Sequence, residues 1–491
     1  MTHHNELSRR KFLGGVAGAA VVGFSPLHRL WITGASAAEC DFADLPPLDG
    51  VLLTDTTARE SDATDNGNIV RQTPCAVLQT GSVEDIKKMV RFCREHHIKV
   101  AVRGQGHTTH GQGLTTGLII ENRFLNTIHS IGPEGADVDA GVRWKDLIIA
   151  AVAQGLTPPV ITGYTQLSVG GTLSVGGISP RYNEGAQVDR VQRLEVVTGG
   201  GDIRQCSEGQ RPQLFEAVLA GLGQCAIITR ATVDLIPAKQ MSRLYNLNYT
   251  DNAVFFRDFR TLINRGEIPY IFNLWFPNNT GGWVYQIQAA TFYDSNQPPN
   301  DDFLLRGLSQ PPAAATRTDT TFLDYMLSVD AVIDFFIANL QWRDLIKPWC
   351  DVWLPESTIE QYVGEVLPTL TPLDVGPIGF MLMFPERRSR FTRPMFRVPP
   401  ATGGDWVYLF DILSASPMPG PNLAYVEQML ARNRNLFERA RELGGTRYPI
   451  GAVEFDRDDW RRQYGDFWEE LVRRKEQYDP SNILTPGPGI F

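Results

Sequence analysis

The run Arg103-Gly104-Gln105-Gly106-His107-Thr108-Thr109-His110-Gly111-Gln112-Gly113 is rich in glycine and short polar side chains. A second such run follows at Leu167-Ser168-Val169-Gly170-Gly171-Thr172-Leu173-Ser174-Val175-Gly176-Gly177-Ile178. Neither is a Rossmann fingerprint: counted from Gly104 and Gly106, the third glycine should stand at 109, where the chain has Thr109. Neither is a P-loop, because no Gly-Lys-Ser/Thr follows. Closely spaced glycines nonetheless let backbone N–H groups approach a pyrophosphate, as in an anion nest. Paired glycines interleaved with hydroxyl residues offer a second close approach. In isolation the first run reads equally well as a surface turn, and the second, the more specific of the two, has a Gly-rich β-turn as its plain reading.

The flanks give the runs a setting. Ala76-Val77-Leu78-Gln79 reads as a strand and Ser82 as an N-cap. Val83, Ile86, Met89, Val90 and Cys93 recur at helical spacing over 83–96, and 99–102 returns as a strand. Beyond the first run come a strand at 118–120, a helix over 144–154, and a hairpin pairing 192–197 with 202–206 around Gly199-Gly200-Gly201. Mixed strands and helices around two glycine loops predict an α+β nucleotide-type domain. From about 241 the character changes: aromatic strands at 270–276 and 283–287 alternate with helices over 324–341 and 422–443. The aromatic set Trp275, Phe276, Trp283, Tyr285, Trp349 and Trp353 reads mainly as core.

Composition narrows the class. The chain has 491 residues, 43% hydrophobic and 21% charged, the values of an ordinary globular protein with more than one domain. A formal charge of −9 and a pI near 5.5 argue against nucleic acid as a partner. No apolar run is long enough for a mature membrane span. Ser8-Arg9-Arg10-Lys11-Phe12-Leu13 places an arginine pair before an apolar stretch, and Ala35-Ser36-Ala37 offers a small-residue cleavage site. Residues 1–37 therefore read as a twin-arginine signal peptide, with the mature protein periplasmic or extracellular. The six cysteines (40, 75, 93, 206, 225 and 350) include no Cys-x-x-Cys pair, so no metal site is expected. A disulfide is compatible with export, but its pairing cannot be read from sequence.

Gly104-x-Gly106-His107-Thr108, Val169-Gly170-Gly171-Thr172-Leu173-Ser174 and Leu222-Gly223-Gln224-x-x-Ile227-Ile228-Thr229-Arg230 together resemble the FAD-binding domain of the vanillyl-alcohol oxidase superfamily. More narrowly they resemble the cytokinin dehydrogenases. The likeness continues through Pro348-Trp349-Cys350-Asp351-Val352-Trp353-Leu354-Pro355 and Gly376-Pro377-Ile378, and ends at Tyr478-Asp479-Pro480 and Ile483-Leu484-Thr485-Pro486-Gly487. It implies a two-domain α+β FAD-linked oxidase fold. Residues 38–240 and the C-terminal return 445–491 would form the FAD domain, and 241–444 the substrate domain. It also implies one covalent bond from His107 to the flavin, with Tyr164 standing about where doubly linked relatives have a cysteine. Position by position it assigns cofactor contacts to Val102, Gly104, Gln105, Gly106, Thr108 and Gln112, then to Ser168, Gly170, Gly171, Thr172, Ser174 and Ile178. Ile228, Tyr448 and Thr485 complete the set.

The chain departs from the family at two acids. Cytokinin dehydrogenases carry an Asp before the second loop and a Glu in a Tyr-x-Glu setting; here Gly163 and Phe272 stand there. Glu184 and Asn273 are the candidate polar replacements. The expectation is an exported FAD-dependent oxidoreductase that passes a hydride from a small alcohol or amine donor to the flavin, with oxygen or another acceptor reoxidising it. Two alternatives stand beside it: a cytokinin dehydrogenase with a relocated base, and a catalytically silent flavin-binding protein.

Overall fold

The computed structural model describes residues 20–25, 30–34, 40, 42, 44–278 and 281–491. Near the N-terminus, strands Ala20–Ser25 and Leu30–Gly34 pair with each other. The Arg9-Arg10 pair and the 35–37 cleavage site lie outside the described residues.

The first sheet is built from β1 (Val51–Leu53), β2 (Ala76–Gln79), β3 (Val100–Arg103) and β4 (Leu118–Glu121), in the order β1-β2-β4-β3. Helix α1 (Val83–Glu95) connects β2 to β3 and starts at a capping box: the Ser82 side chain accepts from Asp85 N–H, and Asp85 returns the bond. Its buried Ile86, Met89, Val90 and Cys93 pack with Leu78, Val100, Leu118 and Ile120 of the sheet. Cys40 is disulfide-bonded to Cys75, just before β2. The other four cysteines are buried and free.

The second sheet is antiparallel: β5 (Ile128–Gly132), β6 (Gly135–Asp139), β7 (Val191–Thr198), β8 (Ile203–Ser207) and β9 (Ala226–Val233), in the order β8-β7-β9-β6-β5. Between β6 and β7 comes a departure from expectation, because the second glycine run is not all loop. Residues Val169–Val175 form a short helix, α2. Val169 and Leu173 reach the core, and Gly170 lies so close to Ala140 that a Cβ there would sit 2.6 Å from the Ala140 Cβ. Close helix–sheet approach is what this glycine permits, and tertiary packing overrides its low helix propensity.

The third sheet holds eight strands: β10 (Met241–Tyr249), β11 (Tyr270–Pro277), β12 (Trp283–Tyr293), β13 (Thr316–Thr321), β14 (Cys350–Pro355), β15 (Phe380–Arg387), β16 (Trp406–Leu413) and β17 (Thr446–Arg447). Their order is β13-β10-β12-β11-β15-β16-β14-β17. The last strand lies past the expected boundary at 444, so the sheet runs into the C-terminal return. The predicted helix over 324–341 is two helices, Phe322–Met326 and α3 (Ser328–Asn339), where Ser328 Oγ donates to Tyr325 O at 2.7 Å.

Strand alternation divides this sheet's two faces. Tyr245, Ile271, Trp275, Val352, Met381, Met383, Tyr408 and Phe410 pack in one core cluster with residues of the Asn252–Arg265 and Leu423–Glu442 helices. Residues of the opposite parity, among them Phe272, Leu274, Leu382, Leu409 and Leu413, face a cavity shared with both glycine runs.

Candidate functional site

The cavity has a volume of about 760 Å³, within the range of small-molecule and cofactor pockets. Val102, Gly104, Gln105, Gly106, His107, Thr108 and Gln112 line it from the first run. Ser168, Gly170, Gly171, Thr172, Ser174 and Ile178 line it from the second, with Ile228 from β9 and Tyr448 and Thr485 from the C-terminal return. The structure thus brings together around one space every residue to which the resemblance assigns a cofactor contact.

The first run is held in shape from both sides. Asp65 Oδ2 accepts from Thr108 Oγ1 at 3.0 Å and from Gly111 N–H at 2.7 Å. Gly106 has φ +64°, and a Cβ there would lie 2.5 Å from Arg103 Nη2. Gln112 Nε2 donates to the carbonyls of Pro449, Ile450 and Gly451 at 3.0–3.3 Å, joining the loop to the C-terminal return. On the other wall Gly177 N–H donates to Tyr448 Oη at 3.4 Å, and Thr485 Oγ1 donates to Gly223 O at 3.0 Å.

His107 is half-buried, with its ring 5.0 Å from that of Tyr164 and 5.3 Å from that of Trp349. Burial pushes its pKa down to about 4, and the Lys347 ammonium acts in the same direction. Lys347 is itself pushed down to about 7 by burial, with Asp65 opposing the shift. The imidazole is therefore neutral near pH 7, the form that is nucleophilic. His110 is absent from the cavity lining. Burial pushes the Cys350 thiol up to about 12, so it offers no thiolate.

FAD fits this lining. Ser168 stands at the N-cap of α2 yet makes no cap bond, and its buried Oγ has no hydrogen-bond partner within the chain. A Cβ on Gly104 would lie 2.1 Å from that oxygen, so the glycine keeps the space beside it open. Thr172 Oγ1 accepts from Trp144 Nε1 at 2.7 Å, and Ser174 Oγ donates to Gly170 O at 2.7 Å, so these two hydroxyls also brace the helix.

The two candidate acid replacements lie elsewhere. Glu184 is paired with Arg190 and Arg181 and lies outside the cavity lining. Asn273 shares its strand face with Ile271 and Trp275, toward the core, and its Nδ2 donates to Met383 O at 3.4 Å. One residue of a strand separates that face from the cavity face, on which Phe272 stacks with Phe384 at 6.1 Å. Gly163 lines the cavity, as do Phe276 and Trp349 from the aromatic set. Charged side chains not singled out from sequence also stand at the site: Asp65 in the lining, Lys347 acting on His107 by charge, and Asp351 and Asp411 on the cavity face of the third sheet. The available signal for the last two was a lone carboxylate in an otherwise apolar strand, Cys350–Pro355 and Trp406–Leu413.

A cradle of this kind beside an apolar sheet wall defines an FAD-dependent oxidoreductase of two-domain α+β fold. Residues 74–207 match the family model described as FAD binding domain, and residues 269–491 the one described as cytokinin dehydrogenase 1, FAD and cytokinin binding. The chain is 32% identical over 443 residues to an uncharacterised oxidoreductase of the fasciation locus of Rhodococcoides fascians, covering 90% of this chain and 99% of that one. It is 31% identical to cytokinin dehydrogenase 6 of Oryza sativa subsp. japonica (89% and 90% covered) and 29% identical to cytokinin dehydrogenase 2 of Arabidopsis thaliana (91% and 95%). The chain belongs to the cytokinin dehydrogenase family.

Proposed function

We propose that this chain is an exported oxidoreductase whose FAD is bonded once, through His107, and whose donor is a small organic alcohol or amine. The observation that carries the reading is His107 itself: a neutral imidazole at the wall of the cavity that both glycine runs line. FAD, when bound, supplies a hydride acceptor that oxygen or another acceptor restores. The chain's own part is to bind and orient. The glycines of both runs allow close backbone approach, and Ser168 Oγ offers a free hydroxyl. The apolar wall of Phe272, Leu274, Leu382 and Leu413 excludes water from the donor. Export is supported by the twin-arginine leader and by the Cys40–Cys75 disulfide, a bond suited to an oxidising compartment. Among the described residues no helix is long and apolar enough to cross a membrane.

A second reading, oxidation of an N6-substituted adenine, is favoured by the names of the relatives and opposed by Gly163 and Phe272. Anaerobic bleaching of the flavin by an alcohol or by an adenine-type amine separates the two. The covalent bond is tested by acid precipitation. The expected result is a yellow pellet from the wild-type protein and colour in the supernatant from His107→Ala. Wild-type colour that dissolves on precipitation refutes the bond, and a colourless protein from every preparation refutes the flavin assignment.

A further inference from the structure

Asp351 and Asp411 stand directly opposite each other on the adjacent antiparallel strands β14 and β16. Directly opposed side chains on one sheet face are within contact range. Both residues are buried, at 0% and 4% exposure, and both line the cavity. Asp351 Oδ1 and Oδ2 and Asp411 Oδ1 find no N–H or O–H donor. Two ionised carboxylates so placed repel each other, whereas one shared proton removes the repulsion and supplies the missing hydrogen bond. Gly451 leaves room for the arrangement, since a Cβ there would lie 2.1 Å from Asp351 Oδ2.

The surroundings offset the charge of the pair only in part. Arg447 on β17 acts on Asp351 by charge, but its Nη2 donates to Gly451 O at 3.0 Å. Arg432 of the Leu423–Glu442 helix is bonded to Ser414 Oγ and Asn433 Oδ1. Cys350 and Tyr448, the other titratable groups that interact with the pair, are both held in their neutral forms by burial. On the β15 side Asp411 faces Leu382.

We propose that Asp351 and Asp411 are the proton acceptor of this cavity, holding one proton between them and taking up the proton that a donor's O–H or N–H group releases. The inference rests on the oxidoreductase reading above. It assigns to the third sheet the part that Gly163 cannot play. The donor's O–H or N–H bond breaks, its electron pair becomes the new C=O or C=N bond, and the proton passes to the carboxylate oxygen not already carrying one. FAD, when bound, would supply the acceptor for the hydride of the adjacent carbon. Burial supports the shared proton: it holds Asp411 well above the ordinary carboxyl range, with Asp351 adding to the effect. It also pushes Asp351 up to about 7, against the opposing influence of Asp411 and Arg447. Below that pH both carboxyls are protonated and the acceptor is blocked.

Infrared spectroscopy of the flavin-loaded protein tests the pair without any donor. The expected result is a protonated-carboxyl C=O band at neutral pH that weakens as pH rises through about 7 and is missing from the Asp351→Asn/Asp411→Asn variant. Stopped-flow reduction with benzyl alcohol and with N6-benzyladenine then tests its role. The wild-type rate constant should rise with pH to a plateau above about 7. Asp351→Asn should lower it by roughly 10²-fold or more and abolish the inflection, at unchanged flavin content. Identical infrared spectra of wild type and double variant at neutral pH overturn the pair, and so does an Asp351→Asn profile that keeps its inflection. A flavin that neither probe reduces counts against the donor reading instead, and the infrared band still decides the pair.

Discussion

Gly163 lines the cavity at the position where the family's aspartate would stand, and nothing fills the space: a Cβ built there would meet only Val329 Cγ2, at 3.9 Å. Its φ lies outside the left-handed region, so an L side chain is not strained. Gly163→Asp should therefore fold and bring a carboxylate into the cavity. Flavin bleaching by N6-benzyladenine should accelerate by roughly 10²-fold, the low side of what a placed general base contributes. An unchanged rate with intact flavin would show that the missing carboxylate does not limit this donor. At this scale legibility follows sequence distance. His107 is readable because its motif is local, whereas Asp351 and Asp411 become neighbours only through strand register. Glu184 and Asn273 stand away from the cavity lining for local reasons. An arginine partner takes the first, and the period of two in a strand turns the second toward the core.

Single loops here are shaped by elements far away in the chain. The 103–113 run takes its form from Asp65 on one side and from the 449–451 backbone on the other. Gln112 joins the two, one amide serving three carbonyls. Gln112→Ala leaves those carbonyls without that donor and should cost about 1–3 kcal/mol. The checks are the urea midpoint and the flavin content, both expected to fall. An unchanged midpoint would mean that water replaces the amide at no cost. The strands and helices around the runs were readable because apolar period and capping residues mark them, as Ser82 marks α1. The α2 helix was not, because its glycines signal a loop locally and only the pressure of Gly170 on Ala140 makes them helical. The disulfide belongs with these long-range features, since pairing follows from the fold and not from spacing.

Across the whole molecule, a set of buried acids makes stability depend on pH in a direction opposite to that of salt-bridged carboxylates. A carboxyl whose folded pKa stands above its unfolded value binds more protons folded than unfolded in the window between the two. Its contribution is full below the unfolded value and is lost as pH rises through the folded one. For Asp351 that window runs from the ordinary 3.8 to about 7, and for Asp65, also raised by burial, to about 6. Lys347 works the other way above about 7, because burial lowers its pKa and deprotonation then favours the fold. Comparison with a variant separates these contributions. Asp351→Asn/Asp411→Asn removes the pair and leaves Asp65 and Lys347 in place. The variant's stability relative to wild type should therefore climb between about pH 4 and pH 7, by on the order of a few kcal/mol, and keep climbing more gently above, where the folded wild type still holds the one shared proton that the unfolded chain has lost. Urea unfolding at intervals across that range measures the difference directly. A flat difference would mean that both carboxyls ionise in the folded protein as they do in the unfolded chain, and that the cavity wall carries two ordinary charges instead of one shared proton.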